Sequence, residues 1–250
     1  MADNLVNATV EISVSGTPLR LSFDMPDAKV KLRRMLPVFN QISNTFVRLG
    51  VENINESGKQ ISCRAGCGAC CRQLVPLSEA EAHQLAELVE DIPEPRRTEI
   101  RKRFAAGLEK LNGAGFFEKL DGAAHGSEEQ YSDTVDEYFT YQVACPFLEN
   151  ESCSIHESRP IACREYLVTS SPEYCSSAKG EGIENVQHLF KVKEAVIALG
   201  RDKLPNELPY VPMIKALEWS EENPEDTSER EAREWMGMFF QELREVSGKS

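Results

Sequence analysis

The stretch Cys63-Arg64-Ala65-Gly66-Cys67-Gly68-Ala69-Cys70-Cys71 packs four of the chain's eight cysteines into nine residues. The other four, Cys145, Cys153, Cys163 and Cys175, fall in a second stretch after a span that has none. Cys67-Gly-Ala-Cys70 is a C-x2-C knuckle, in which two intervening residues let both sulfurs turn towards one ion. The small Gly66, Gly68 and Ala69 permit the tight turn. Cys63 is close enough to join the same site. Cys71 is different, because adjacent side chains point apart; it serves a different ion from Cys70 or acts as a supporting or redox thiol. The gaps in the second stretch are too wide for local knuckles. A site shared with the first stretch is therefore the more natural geometry, with the rest of the chain as scaffold.

Bulk composition agrees with a chain that needs no disulfide staples. With 250 residues, 41% of them hydrophobic and 28% charged, it has enough apolar material to bury a core. The first residues lack the basic start and apolar run of a secretory leader. No apolar run approaches the ~18 residues that span a bilayer. These features predict a cytosolic protein, in which thiols stay reduced and clustered cysteines serve metal or redox chemistry. The formal charge of −13 argues against nucleic acid or an anionic membrane as partner. Yet Lys59–Leu77 carries Lys59, Arg64 and Arg72 and no carboxylate. Cations there lower thiol pKa values and offset thiolate charge.

The expected architecture is mainly α with a small N-terminal β-hairpin, the metal-organised loops being irregular and embedded in a helical scaffold. Residues 8–14 and 19–23 alternate in polarity around Ser15-Gly16-Thr17-Pro18, which reads as a hairpin. From Asp27 to Val51 apolar residues recur at helical spacing, with Pro37 a point of kinking or restart. Ser78-Glu-Ala-Glu81 is a capping box opening a helix, and 96–111 forms a second, the pair packing away from the metal. Residues 112–134 read as a Gly-rich loop with short helical pieces. Residues 145–175 contain Pro146, Pro160 and Pro172 and take their shape from ligands. Helices follow over 184–199 and 208–219, then an acidic break at 221–226. A capping box at Ser228–Glu231 opens the last helix. The domain reading is an N-terminal hairpin and helix over 1–58, a cysteine-cluster metal-binding domain over 59–180, and C-terminal helices over 181–250 on the same core.

Taken together, Cys63-x3-Cys67-x2-Cys70-Cys71, Cys145-Pro-Phe-Leu148 and Cys153-x-Ile-His156-x-x-Arg159-Pro160-x-x-Cys163-Arg164 resemble the zinc- or iron-chelating cysteine-cluster proteins. These are the YkgJ-like or CxxCxxCC family, and the resemblance covers residues 63 to about 175. It implies a metal or iron–sulfur site built from these cysteines, and no particular reaction. Some flagellin lysine methylases carry a similar cluster, so an enzyme reading stands beside it.

All eight cysteines (Cys63, Cys67, Cys70, Cys71, Cys145, Cys153, Cys163 and Cys175) are candidate ligands. Cys175 is the most remote from the motif and the first to be read instead as a buried structural thiol. Thiolates suit Zn(II) and iron–sulfur clusters equally, so the cofactor is one of these two. His156, three residues after Cys153, is the one histidine to test as a ligand; His83, His125 and His188 receive no role. Arg159 and Arg164 read as hydrogen-bond donors supporting the cysteine loops, or as anion binders. Trp219 and Trp235 read as core. The first functional reading is a cytosolic metal-binding protein on which both clusters converge. The second is an iron–sulfur-dependent redox or protein-modifying enzyme, and the third a metal carrier or sensor.

Overall fold

Polarity alternates along the N-terminal strands, so a two-stranded ladder turns one row of side chains inward and the other to solvent. In the computed structural model, which describes residues 4–14, 17–177, 182–200 and 208–248, strand β1 (Leu5–Val14) pairs antiparallel with β2 (Thr17–Pro26). Ser15 and Gly16 of the expected turn lie outside the described residues. The hairpin is longer than its alternation indicated. Leu21, Phe23 and Met25 of β2 are buried against α1 (Leu36–Glu56), on Val38, Phe39, Ile42 and Phe46.

Helix α1 starts later than its periodicity predicted. A short β3 (Lys29–Val30) and a 3-10 turn (Leu32–Met35) precede it. Pro37 lies in the first turn, where a missing N–H costs no hydrogen bond, so it opens the helix and does not kink it. After the first cysteine stretch come β4 (Pro76–Leu77), α2 (Glu79–Asp91) and α3 (Arg96–Gly113). The predicted capping box is made: Glu81 N–H donates to Ser78 Oγ at 3.3 Å and Ser78 N–H to Glu81 Oε2 at 3.0 Å.

Residues 112–134 depart from the expected loop. They contain α4 (Phe116–Ala124) and the start of α5 (Glu128–Thr140). Glycines at 113, 115, 122 and 126 hid the apolar stripe of Phe116, Phe117 and Leu120. The capping box Ser127–Gln130 closes reciprocally at the start of α5.

Beyond α5 the chain is irregular. It holds the two-residue hairpin β5 (Leu148–Glu149) and β6 (Ser152–Cys153), and the short α6 (Ile161–Glu165). Then follow α7 (Val192–Gly200), β7 (Val211–Pro212), α8 (Ala216–Glu222), β8 (Arg230–Glu231) and α9 (Ala232–Ser247). The helix expected over 184–199 begins only at Val192. Before it, Val186 N–H donates to Leu167 O at 2.8 Å and the segment runs extended. The capping box expected at Ser228–Glu231 does not form. Arg230 and Glu231 pair instead with β3, and α9 starts at Ala232 without a side-chain cap. Among the described residues no helix is long and apolar enough to cross a membrane.

Two hydrophobic cores flank the irregular segment. One joins the β1–β2 hairpin, α1, α7 and α9, where Phe39 stacks on Phe239 at 4.7 Å. Trp235 lies in it and donates its indole N–H to Val30 O at 2.8 Å. The other joins α2, α3, α4 and α8, with Phe104 edge-on to Phe147 at 5.6 Å. The α2–α3 hairpin therefore packs onto the cysteine region and not away from it. Fully burying an aromatic such as Phe147 contributes roughly 1.5–3 kcal/mol. Residues 145–175, expected to take their shape from ligands, also pack into the cores, since Phe147, Ile155, Ile161 and Val168 are buried.

Helix α2 is also tied directly to α6. The fully buried Glu81 carboxylate accepts from Ile161 N–H at 2.9 Å through Oε1, and through Oε2 from the Ser78 amide and, at 2.8 Å, its hydroxyl. Burial pushes this carboxyl up, and the donors and Arg164 pull it back. Glu81→Ala strands these donors in the interior, at a cost of roughly 1–3 kcal/mol. The expected result is a lower Tm, by roughly 2–4 °C per kcal/mol for a chain of this size. An unchanged melting curve would remove Glu81 as the clamp.

Candidate metal centre

The first cysteine stretch is a sequence of tight turns. Cys67 N–H donates to Arg64 O at 3.1 Å around Gly66, whose φ of +79° is left-handed and favours glycine. A 3-10 turn over Ala69–Arg72 follows, closed by Cys71 N–H to Gly68 O at 3.0 Å and Gln73 N–H to Cys70 O at 3.1 Å. Gly68 is required for space and not for its dihedral. A Cβ there would stand 2.6 Å from Leu148 Cδ1 and 3.1 Å from Glu151 Cα, so the β5–β6 hairpin rests directly on the turn.

That hairpin carries Cys153, and Cys145 lies three residues before it. Leu148 pairs with Cys153, and Leu148 N–H donates to Cys145 O at 2.9 Å. Its turn residues Asn150 and Glu151 have φ of 50° and 56°, as the tightest hairpin turns demand. Glu151 is a poor residue for that conformation. It is held by Arg72, whose guanidinium donates to both of its carboxylate oxygens, at 2.7 and 3.1 Å, and to Gly68 O at 3.2 Å. The cysteine stretches themselves join at Cys145 N–H to Cys71 O, 2.7 Å.

Cys163 lies one turn into α6, and Cys175 lies in a 3-10 turn over Tyr174–Ser176. Gln73 donates its side-chain amide to Cys175 O at 3.4 Å, which draws the 3-10 turn onto the first stretch. Ser62 N–H donates to Val168 O at 2.9 Å and its hydroxyl to Thr169 O at 3.0 Å, fixing the approach to Cys63.

All eight cysteines line one cavity of about 500 Å³. Each is a free thiol, and Cys175 is the most buried of them. Apolar walls come from Phe147, Ile155, Val168 and Met213, and among the described residues no carboxylate lines the space. Among the described residues, no three Cys, His, Asp or Glu side chains stand close enough to grip one ion as they are. The thiols surround a volume larger than a single ion.

Burial and mutual repulsion favour the neutral thiol at Cys63, Cys70, Cys145, Cys153, Cys163 and Cys175. Burial, then the neighbouring thiols, push Cys145 and Cys163 up to about 12 from an ordinary 9.0. Cys63, Cys153 and Cys175 are raised mainly by burial, and Cys70 is raised first by its contact with the Cys71 thiol and then by burial. Arg159 opposes this, pulling Cys63, Cys70, Cys153 and Cys163 down. Its Nε is buried without a hydrogen-bond acceptor, and its guanidinium touches His156 Nε2.

The two arginines that the sequence treated alike separate here. Arg159 lines the cavity. Arg164 turns away and donates to Arg159 O at 2.9 Å, to Glu157 O and to Asn44 Oδ1 at 3.4 Å, so it braces the loop. His156 borders the cavity, and burial followed by Arg159 lowers its pKa. The other histidines lie elsewhere: His83 against Trp219, His125 on Asp121 O at 2.9 Å, and His188 on Glu165 O at 2.7 Å. Tyr166, which the sequence did not single out, also borders the cavity. Its hydroxyl accepts from Gln73 at 3.4 Å, and burial raises its pKa to about 12. Only its position three residues after Cys163 marked it beforehand.

The donor set fits a thiolate-held metal. Eight soft sulfurs, a largely apolar wall and, among the described residues, no competing carboxylate suit zinc or iron bound through sulfur.

Neither a curated protein nor a solved structure matches the chain. The model of the CxxCxxCC family, described as a putative zinc- or iron-chelating domain, matches residues 62–185 and so spans all eight cysteines. The signature in the family's name has two residues between its first cysteines, whereas Cys63 and Cys67 are separated by three, Gly66 among them. Residues 62–185, just under half of the chain, thus carry the match to the CxxCxxCC family, whose description is a putative zinc- or iron-chelating domain.

Proposed function

We propose that this protein binds metal through both cysteine stretches at once, the eight thiols forming the ligand shell of a shared thiolate-held centre. The observation that carries this reading is the convergence of Cys63–Cys71 and Cys145–Cys175 on one cavity. Chance placement of structural thiols does not bring residues from two remote stretches around a common space with no acid or amide among the donors.

The volume favours a polyatomic centre. A single Zn(II) needs four sulfurs about 2.3 Å from the ion, and the thiols here stand too far apart for that without contraction. An iron–sulfur cluster fills more of the space, and when bound it supplies one-electron chemistry. The chain's own residues do the rest. Phe147, Ile155 and Met213 limit water, and Arg159 offsets part of the thiolate charge. Arg72, Glu81 and Arg164 hold the loops that carry the cysteines. Eight unpaired thiols also suit a reducing compartment, which supports the cytosolic reading.

Cys67→Ser and Cys153→Ser each remove one sulfur from a different stretch. Both variants are expected to lose bound metal and to melt lower than the parent, because binding and local folding are coupled. Elemental analysis and visible absorption after oxygen-free purification give the readout, and brown colour with iron and sulfide identifies the cluster. Metal content unchanged in both variants defeats the assignment.

A pH dependence follows from Cys145 and Cys163. Their folded pKa values lie above the unfolded ones, so their neutral forms stabilise the metal-free fold fully below about 9. That contribution is lost as pH rises through about 12. Metal-free protein is expected to melt lower at about pH 10 than at about pH 8. Metal-loaded protein holds these thiols as anions already and lacks the decline. Equal slopes in thermal melts of the two forms would argue against burial of these thiols at the metal.

A further inference from the structure

We propose that the outer edge of β1 pairs with the same edge of a second copy of this chain, so that two hairpins join across a two-fold axis into one antiparallel sheet.

The hairpin's two edges are built differently. In an antiparallel ladder every second residue turns its N–H and C=O towards the neighbouring strand, and the residues between turn theirs outward. Asp24 of β2 is an outward residue, because its N–H donates to Gln41 Oε1 at 3.1 Å and its C=O accepts from Gln41 Nε2 at 3.3 Å. The register then makes Pro18, Arg20, Ser22 and Pro26 outward as well. On that edge two prolines have no N–H to give and Gln41 occupies Asp24, so β2 is closed to another strand. Opposite these residues, Ser13, Glu11, Thr9, Asn7 and Leu5 are the outward residues of β1. Strand β1 holds no proline and no lysine, and its ladder with β2 runs without a bulge. Among the described residues no strand other than β2 pairs with it. An uncovered edge of that kind is a template for strand addition.

The edge fits itself. Antiparallel pairing centred on Thr9 sets Thr9 against the partner's Thr9, Asn7 against the partner's Glu11 and Leu5 against the partner's Ser13. In this register all five outward residues of each copy meet outward residues, for about ten hydrogen bonds. A shift of two residues in either direction leaves some of them unmatched within β1. The side chains agree, since residues opposite each other point to one face. Helix α1 packs under β2, which leaves Val6, Ala8, Val10 and Ile12 of β1 half-buried at the margin of the core. In the pair this apolar row meets the same row of the partner. Charge is complementary as well. Glu11 stands opposite Arg20 on its own hairpin and faces the partner's Asn7, an amide with one N–H on Asp24 and a second to give. No like charges face each other across the axis. A two-stranded hairpin is marginal in water, and a four-stranded sheet is steadier.

The full chain, kept reduced so that no disulfide joins copies, is followed by sedimentation velocity over a wide range of concentration. A monomer–dimer equilibrium is expected. Thr9→Pro removes the donor at the axis and no bond of the hairpin itself, and it should raise the dimer dissociation constant at least about tenfold. Ser22→Pro makes the same change on the closed edge and should leave that constant within about twofold of the parent. Hydrogen exchange on the parent supplies a second reading. Where the dimer prevails, the amides of Leu5, Asn7, Thr9, Glu11 and Ser13 should be protected, and dilution should remove that protection. Val6, Ala8, Val10 and Ile12, bonded within the hairpin, should stay protected throughout. A monomeric parent, which leaves the edge to a strand of another protein, overturns the proposal. So does a dimer that Thr9→Pro leaves intact, or one whose odd-numbered β1 amides exchange freely. Assembly that grows past two copies overturns it too, because β2 closes the far edges. Where Thr9→Pro does not fold, the exchange pattern of the parent decides.

Discussion

A backbone hydrogen bond of 2.7 Å, from the Cys145 amide to the Cys71 carbonyl, joins segments far apart in sequence at two residues that line the cysteine cavity. It is one bond, and alone contributes about 1 kcal/mol. Its importance is positional. With Gly68 open beneath Leu148 and Glu151, and with Arg72 fixed on Glu151, it sets the distance between the two walls of thiols. A side chain at 68 or a shift of the hairpin would separate the halves.

That seam is held from outside by two independent hydrophobic cores. The α2–α3 side grips it through Phe104 on Phe147, and the α1 side through Ile161, buried beside α1 and α7. Glu81 links the two, being a residue of α2 whose carboxylate caps the amide of Ile161. The scaffold can thus keep the cysteines near one another without metal. Burial then opposes ionisation of Cys145 and Cys163. A pocket of protonated thiols would take up metal with release of protons.

Much of this was legible in the chain. The N-terminal alternation, the Ser78–Glu81 capping box and the helical stripes of α1, α3 and α9 are local signals, and local signals survive folding. The cysteine spacings told more, since gaps too wide for knuckles implied a partner stretch, and all eight residues do border one cavity. What was hidden was non-local. Arg230 and Glu231 look like a helix start, but β3 recruits them. Residues 184–191 have helical composition, but Leu167 and the main chain of Glu165 claim Val186 and His188. Glycines masked α4, whose phenylalanines reveal it only once their partners Tyr138 and Tyr141 are known. Arg159 and Arg164 are indistinguishable in sequence, and only the turn of α6 sends one to the thiols and the other to the loop carbonyls.

The burial that makes Cys145 and Cys163 such weak acids also makes their sulfurs chemically quiet. It is the thiolate that attacks a peroxide or a disulfide, and a thiol raised to about 12 offers almost none of it at neutral pH. These two sulfurs are therefore poor targets for oxygen and slow to pair with a neighbouring thiol.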